Sequence, residues 1–156
     1  MTTDAVPAPD AVVPDAVVPD AVDEVLSIAR TWLAWDGRPV RHDGNAWTPH
    51  KALRRVADHL VDHLAEIDCR LAGLPTLPDR WHGRTVTTDA DFARFTETDL
   101  DEATSRLTRL AACYRARLVA LPAATLDDTP GEGWTIREIV AHVAGVTYYA
   151  EAMGRL

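Results

Sequence analysis

Four stretches of this chain place apolar residues at three- and four-residue intervals, a periodicity that belongs to helices packed on one face. Val22, Val25, Leu26, Ala29, Trp32 and Leu33 form the first stripe. Leu53, Val56, Ala57, Leu60, Leu64, Ile67 and Leu71 form the second. Leu100, Ala103, Leu107, Leu110, Ala111, Tyr114, Leu118 and Leu121 form the third, and a fourth follows Thr135. A helix with one apolar face has to bury it, and four of them pack most simply as an all-α four-helix bundle.

Caps and stops set the expected boundaries. Asp20 precedes a first helix over residues 21–35, which Asp36-Gly37 ends. Thr48 caps the second, with Pro49 at the first helical position, where a missing N–H costs nothing, and Gly73 closes it. Thr98, with Asp101 three residues on, opens the third, and Pro122 stops it. Thr135 and Glu138 form a capping box for the last helix, which ends near Met153-Gly154 and leaves Glu138 no role as a general base. Residues 38–46 read as a polar loop. Residues 74–97 read as a long crossover with a helical turn near 89–95, because structureless connections of that length are uncommon.

Ahead of the first stripe, Asp-Ala-Val-Val-Pro occurs twice, at 10–14 and 15–19. With Pro7, Pro9, Pro14 and Pro19 set against a helix there, residues 1–19 are expected to form a flexible tail whose valines can dock on the body, and residues 20–156 the bundle. The chain has 156 residues, 47% of them hydrophobic, enough to bury a core without disulfides or a structural metal. No apolar run reaches the roughly 18 residues that a membrane span needs. Met1-Thr2-Thr3-Asp4 lacks the basic and apolar segments of a leader, so the cytoplasm is the expected location. A net charge of -8 without a basic stripe argues against nucleic acid as partner. Cys69 and Cys113 lack metal-type spacing and read as reduced thiols within helices.

The two halves of the chain resemble each other. Trp47-Thr48-Pro49-His50-Lys51-Ala52-Leu53-Arg54-Arg55-Val56 can be laid on Trp134-Thr135-Ile136-Arg137-Glu138-Ile139-Val140-Ala141-His142-Val143, an offset of 87. In both, a tryptophan stands before a capped helix, where it can act as a hydrophobic staple or roof a pocket at the bundle's end. At about 100° per residue, Arg55 matches His142 in direction, His59 matches Val146, and His63 falls about 20° from the centre of the second helix's apolar face. Buried imidazoles need partners for both nitrogens, so His59 and His63 on one stripe demand an explanation. Three remain open: histidines satisfied by Asp58, Asp62 or Tyr149; a pocket of Arg55, His59, His63 and His142 for a polar or anionic molecule; or a divalent ion held by His59, His63 and His142. The remaining histidines, His42, His50 and His82, fall in loops or at a helix start and read as solvent-facing.

The segment Trp134-Thr-Ile-Arg-Glu-Ile-Val-Ala-His142-Val-Ala-Gly, together with its counterpart at Trp47, resembles the DinB-like superfamily of small four-helix proteins. That superfamily includes mycothiol-dependent maleylpyruvate isomerase and the bacillithiol transferases. The resemblance runs from about Val22 to Met153. It implies a bundle of two pseudo-symmetric helix pairs joined by a long crossover, and a metal-assisted thiol transfer or isomerisation. It also implies a divalent ion on three histidines, at positions held here by Arg55, His142 and Val146. A guanidinium stays protonated and a valine has no donor atom, so the usual site is broken.

The expected function is therefore binding of a small polar or anionic ligand. Arg55, His63, Trp47, Trp134 and Tyr149 contact it, His59 and His142 serve as acid or base if there is catalysis, and no residue is assigned to a metal. One alternative is a thiol-cofactor transferase or isomerase with zinc or nickel on a rearranged His59 and His142 site. Arg55 disfavours a cation there unless a carboxylate offsets its charge. Another is a non-catalytic homodimer contacting through Trp32 and Trp35.

Overall fold

The computed structural model describes residues 14–78, 85–128 and 133–156. His82, Pro7 and Pro9, and with them most of the expected tail, lie outside the described residues. Helix α1 spans Pro14–Ala29 and runs on as a 3₁₀ turn, Arg30–Ala34. A hairpin of β1 (Val40–His42) and β2 (Asn45–Trp47) leads to α2 (Pro49–Leu71). A 3₁₀ turn at Asp89–Phe92 precedes α3 (Glu97–Ala120) and the one-turn α4 (Ala123–Asp127). The last helix is built as α5 (Ile136–Val143), a 3₁₀ turn Ala144–Val146, and α6 (Thr147–Met153). The fold is an all-α, bundle-like packing of helices. Its principal contacts run from α1 to α3, α3 to α2, α2 to α5 and α6, and from those back to α1.

Three local expectations change. First, α1 begins at Pro14 rather than Ala21, so residues 14–19 belong to the helix. Pro14 sits at the helix start, where it is tolerated. Pro19 lies inside the helix, at a cost of about 3 kcal/mol. Val18, Val22 and Val25 are buried, and at about 1.5–3 kcal/mol each they outweigh it. Asp15 adds an ion pair to Arg115 on α3, 3.5 Å away.

Second, residues 38–46 contain a hairpin with Val40 opposite Trp47. Asp43 and Gly44 both take positive φ, 47° and 72°, the geometry that makes Asp-Gly a hairpin turn.

Third, the cap of α3 is Thr96, not Thr98. Its hydroxyl accepts from the Asp99 N–H, while the Asp99 carboxylate accepts from the Thr96 N–H at 2.8 Å. Either threonine has an aspartate three residues on, but only Thr96 follows a buried aromatic, Phe95, which with Leu100 fills the staple positions.

The core lies along all four helices. Trp32 is fully buried and its Nε1 donates to the Gly154 carbonyl at 2.7 Å, tying the first helix to the chain end. That burial removes Trp32 from any dimer surface. Tyr114, also buried, donates from α3 to the Leu60 carbonyl of α2 at 2.7 Å. The crossover is anchored by Asp91, which takes two bonds from Arg54, at 3.2 and 2.7 Å. Burial alone pushes the Asp91 carboxyl up, but the Arg54 guanidinium and the Thr88 amide and hydroxyl outweigh it and hold it below the usual carboxylate range.

A carboxyl depressed by folding stabilises the fold above its unfolded pKa and loses that contribution as pH falls through the folded value. Urea unfolding from pH 7 down to pH 2 will therefore show an acid limb beginning below about pH 4 that is shallower in Asp91→Asn. At pH 7 that substitution will cost about 2–3 kcal/mol, since it removes the charged acceptor of two Arg54 hydrogen bonds. Tyr114→Phe will cost about 1 kcal/mol, the usual net worth of one buried hydrogen bond.

Candidate functional site

Helix α2 carries a second stripe beside its apolar one: Arg55, His59, His63, Glu66 and Arg70 recur at intervals of four, four, three and four residues. That spacing keeps all five on one side of the helix. They lie on the seam where α2 meets α5 and α6. Arg55 and His59 are buried, His63 is half-buried, and His142 reaches the seam from α5 with an exposed edge.

Three imidazoles meet there. The ring centroids of His59 and His63 are 4.7 Å apart, those of His59 and His142 4.8 Å, and those of His63 and His142 5.0 Å. One ring nitrogen from each can be chosen so that all three lie within 4.8 Å of one another. Among the described residues this is the one cluster of three or more histidine, cysteine or acidic side chains spaced to hold a metal ion.

The surroundings bias His142 toward its neutral form and give His63 a carboxylate partner. Burial lowers the pKa of His142, the positive charge of a protonated His63 lowers it further, and Glu66 opposes both. His63 Nδ1 lies 2.8 Å from Glu66 Oε2, so a proton on Nδ1 is donated to the carboxylate and the Nε2 lone pair is left for a ligand. Arg70 pairs with Glu66 at 3.5 Å and also donates to the Trp134 carbonyl, just ahead of the α5 cap. Thr135 and Glu138 close that cap reciprocally, at 3.1 and 2.7 Å.

On the other side, the Arg55 guanidinium lies 4.9 Å from the Tyr149 ring centroid and donates to the Tyr149 hydroxyl at 3.2 Å. Tyr149 in turn stands 5.9 Å from His59 and 5.9 Å from Trp47. Arg55 Nη1 is buried and has no hydrogen-bond partner among the described residues.

The seven residues singled out from the sequence thus form one connected chain of rings and charges. The two tryptophans differ within it. Trp47 is 4% exposed and belongs to the core, with Lys51 Nζ 4.7 Å from its ring centroid. Trp134 is 49% exposed and covers His142 at 4.8 Å. Val146, at a position where the resemblance implies a metal ligand, is a fully buried core residue.

Glu66 and Arg70 are the members that sequence reasoning missed. Their signal was the continuation of the polar stripe past His63, to which the sequence reading assigned no role. His50 is the other departure, half-buried against Phe95 at 5.4 Å rather than solvent-facing.

Comparison of the chain with protein-family models, with curated proteins and with solved structures returns no match. What these residues do is therefore argued from their geometry. The arrangement can offer three neutral nitrogen donors to one ion and a guanidinium to an anion beside it. No described helix is long and apolar enough to cross a membrane.

The Glu66 contact makes a spectroscopic prediction. In metal-free protein at about pH 8, above the ordinary histidine range, long-range ¹H–¹⁵N correlation will show the neutral His63 ring protonated on Nδ1. In Glu66→Ala it will revert to the Nε2-protonated tautomer, and an unchanged tautomer would show that Glu66 does not set the ring's orientation.

Proposed function

We propose that this chain is a DinB-like bundle that binds one divalent transition-metal ion at His59, His63 and His142 and takes a small anionic ligand beside it. The observation that carries this reading is the convergence of the three rings, with ligand nitrogens within 4.8 Å of one another. Zinc–imidazole bonds of about 2.0–2.1 Å in tetrahedral geometry put the nitrogens about 3.4 Å apart, which calls for side-chain rotations of about an ångström. An all-imidazole donor set suits zinc, nickel or copper and not magnesium or calcium, which require oxygen. Three protein ligands leave a coordination position open, as in catalytic rather than structural zinc sites.

The ligand set implied by the family resemblance does not fit, because Arg55 and Val146 supply no lone pair. The proposed set keeps His142 and draws its other two ligands from α2. Arg55 then acquires a different role. Its buried Nη1 suits a carboxylate or other anion lying between the guanidinium and the open position. Tyr149 holds the guanidinium in place, and Trp134 shields one face of His142. The carboxylate needed to offset Arg55 is Glu66, which reaches the site through His63.

A bound ion would supply a Lewis-acidic centre to whatever the Arg55 side holds. The reaction class consistent with the resemblance is thiol-cofactor transfer or isomerisation of a small acid. In this reading His59 and His142 serve as ligands, which replaces the acid–base roles expected of them from the sequence.

Tag-free protein titrated with Zn²⁺ will take up one equivalent, read by native mass spectrometry and calorimetry. His63→Ala and His142→Ala will each weaken binding by about a hundredfold, at about 1.4 kcal/mol per factor of ten. Because His142 is biased toward its neutral form, proton competition there will set in only below its ordinary pKa of about 6.5, and affinity will fall as pH drops further. Protein that stays folded, binds no zinc and is indifferent to the histidine variants would overturn the metal reading. The Arg55 pocket would then stand as a metal-free anion site. Arg55→Met will leave zinc uptake in place and abolish binding of a small carboxylate such as succinate to the loaded protein.

A further inference from the structure

We propose, on the reading of Arg55 as an anion site, that this site extends one turn toward the start of α2, to Lys51 and Trp47, and that its ligand is a small diacid. Trp47, Lys51, Arg55 and His59 follow one another at four-residue intervals. The polar stripe of α2 therefore begins two residues ahead of the helix and passes through the lysine before it reaches the histidines.

Charge is the first ground. Lys51 and Arg55, 1% and 9% exposed, are the buried lysine and arginine of the described residues. Neither has a carboxylate at ion-pair distance there: Lys51 Nζ donates to the Ala46 carbonyl and the Thr87 hydroxyl, both at 2.9 Å, and Arg55 donates to the Tyr149 hydroxyl. The surplus is felt by the lysine, whose pKa is held below its usual range by burial first and then by Arg54, with Asp91 opposing and Arg55 adding to the fall. Buried cations without a counter-charge are unfavourable, and an anion bound between them offsets that cost. The arginines lining the cavity of about 310 Å³ behind α2, between it and α3, differ in this respect: Arg54 pairs with Asp91 and Arg106 with Glu102.

Hydrogen bonding is the second ground. Arg55 Nη1 and Trp47 Nε1 are both buried donors without a hydrogen-bond partner among the described residues. Tyr149 lies against both side chains, its ring centroid 4.9 Å from the Arg55 guanidinium carbon and 5.9 Å from the Trp47 ring. Its hydroxyl accepts from Arg55 and has a proton of its own to give. These groups select a ligand rich in acceptors, because a buried donor left unmet is costly. One carboxylate can satisfy the guanidinium, but the indole N–H stands on another side chain and needs another acceptor. Lys51 Nζ, 4.7 Å from the Trp47 ring centroid, brings positive charge to that end and favours a second carboxylate over a neutral oxygen. The Tyr149 contacts keep guanidinium and indole close enough for a four-carbon chain to bridge, with hydrogen bonds of about 2.9 Å at each end.

Succinate and butyrate share a four-carbon chain and differ in the second carboxylate. In calorimetric titrations of the full chain, zinc-loaded and metal-free side by side, succinate will bind about tenfold more tightly than butyrate. In ¹H–¹⁵N NMR the Trp47 indole N–H resonance will move downfield with saturating succinate and stay in place with butyrate. Trp47→Phe, which keeps an aromatic ring without the N–H, will bring succinate down to the affinity of butyrate and leave butyrate unchanged. Equal binding of the two acids, or succinate binding that leaves the wild-type indole resonance in place, would overturn the diacid site. The Arg55 reading would survive either result if Arg55→Met abolished the binding, whereas no binding of either acid in either form would overturn both. The indole resonance is read in the wild-type protein, so the outcome does not depend on a variant folding.

Discussion

Placing three imidazoles side by side in a protein seam is unfavourable unless their nitrogens are given partners and their charge is kept low. Much of the architecture around α2 answers that constraint. Glu66 takes up one nitrogen of His63, Arg70 holds Glu66, and the same arginine reaches the Trp134 carbonyl at the start of the last helix. Trp134 then lies over His142. The network joins the two helices that supply the histidines, so the geometry of the cluster and the docking of α5 on α2 depend on one set of contacts. A helix held only by aliphatic packing could slide by a fraction of a turn. The charged and capped residues here favour one register.

The contact order of the helices explains why the cluster forms at this seam. Helices α1 and α3 pack on each other, and so do α2 and the last helix. The two segments of similar sequence, each a tryptophan followed by a capped helix, are therefore brought face to face. The two copies meet out of step: His142 on one copy stands against His59 and His63 on the other, one and two turns past Arg55, the position the repeat matches to it. The equivalence is incomplete in a way that matters. Trp47 is sealed into the core by the hairpin, Lys51 and the two tyrosines, whereas Trp134 remains half in solvent. The seam is therefore covered at its Trp47 end and solvent-exposed at Trp134.

A good part of this was legible in the chain. The four helices, their threonine caps at positions 48 and 135, and the alignment of Arg55, His59 and His63 along one side of α2 follow from residue spacing and helical angles; that His142 meets the two α2 histidines does not. What was misread had local explanations. Asp43-Gly44 is a strong hairpin signal, but the strands it joins are three residues each and easily pass for a loop. Pro19 argued against a helix, and only the burial of Val18 and its neighbours shows why the helix survives. Thr96 and Thr98 offered the same capping pattern, and the buried Phe95 beside one of them decided between the two. Glu66 and Arg70 were overlooked because a glutamate and an arginine on a helix are ordinarily solvated, and nothing local reveals that they stand against another helix.

The sequence by itself determined the helical class, the caps and the unusual alignment of polar groups along one face of α2, because those depend on periodicities of a few residues. Only the tertiary structure decided which faces meet. It placed a carboxylate on His63, left a guanidinium nitrogen of Arg55 buried without a hydrogen-bond partner among the described residues, exposed one tryptophan and buried its counterpart, and opened a separate cavity behind α2. The reason is physical: hydrogen bonding, burial and electrostatic offset are set by neighbours dozens of residues away, and their energies depend on ångström distances that spacing along a chain does not encode.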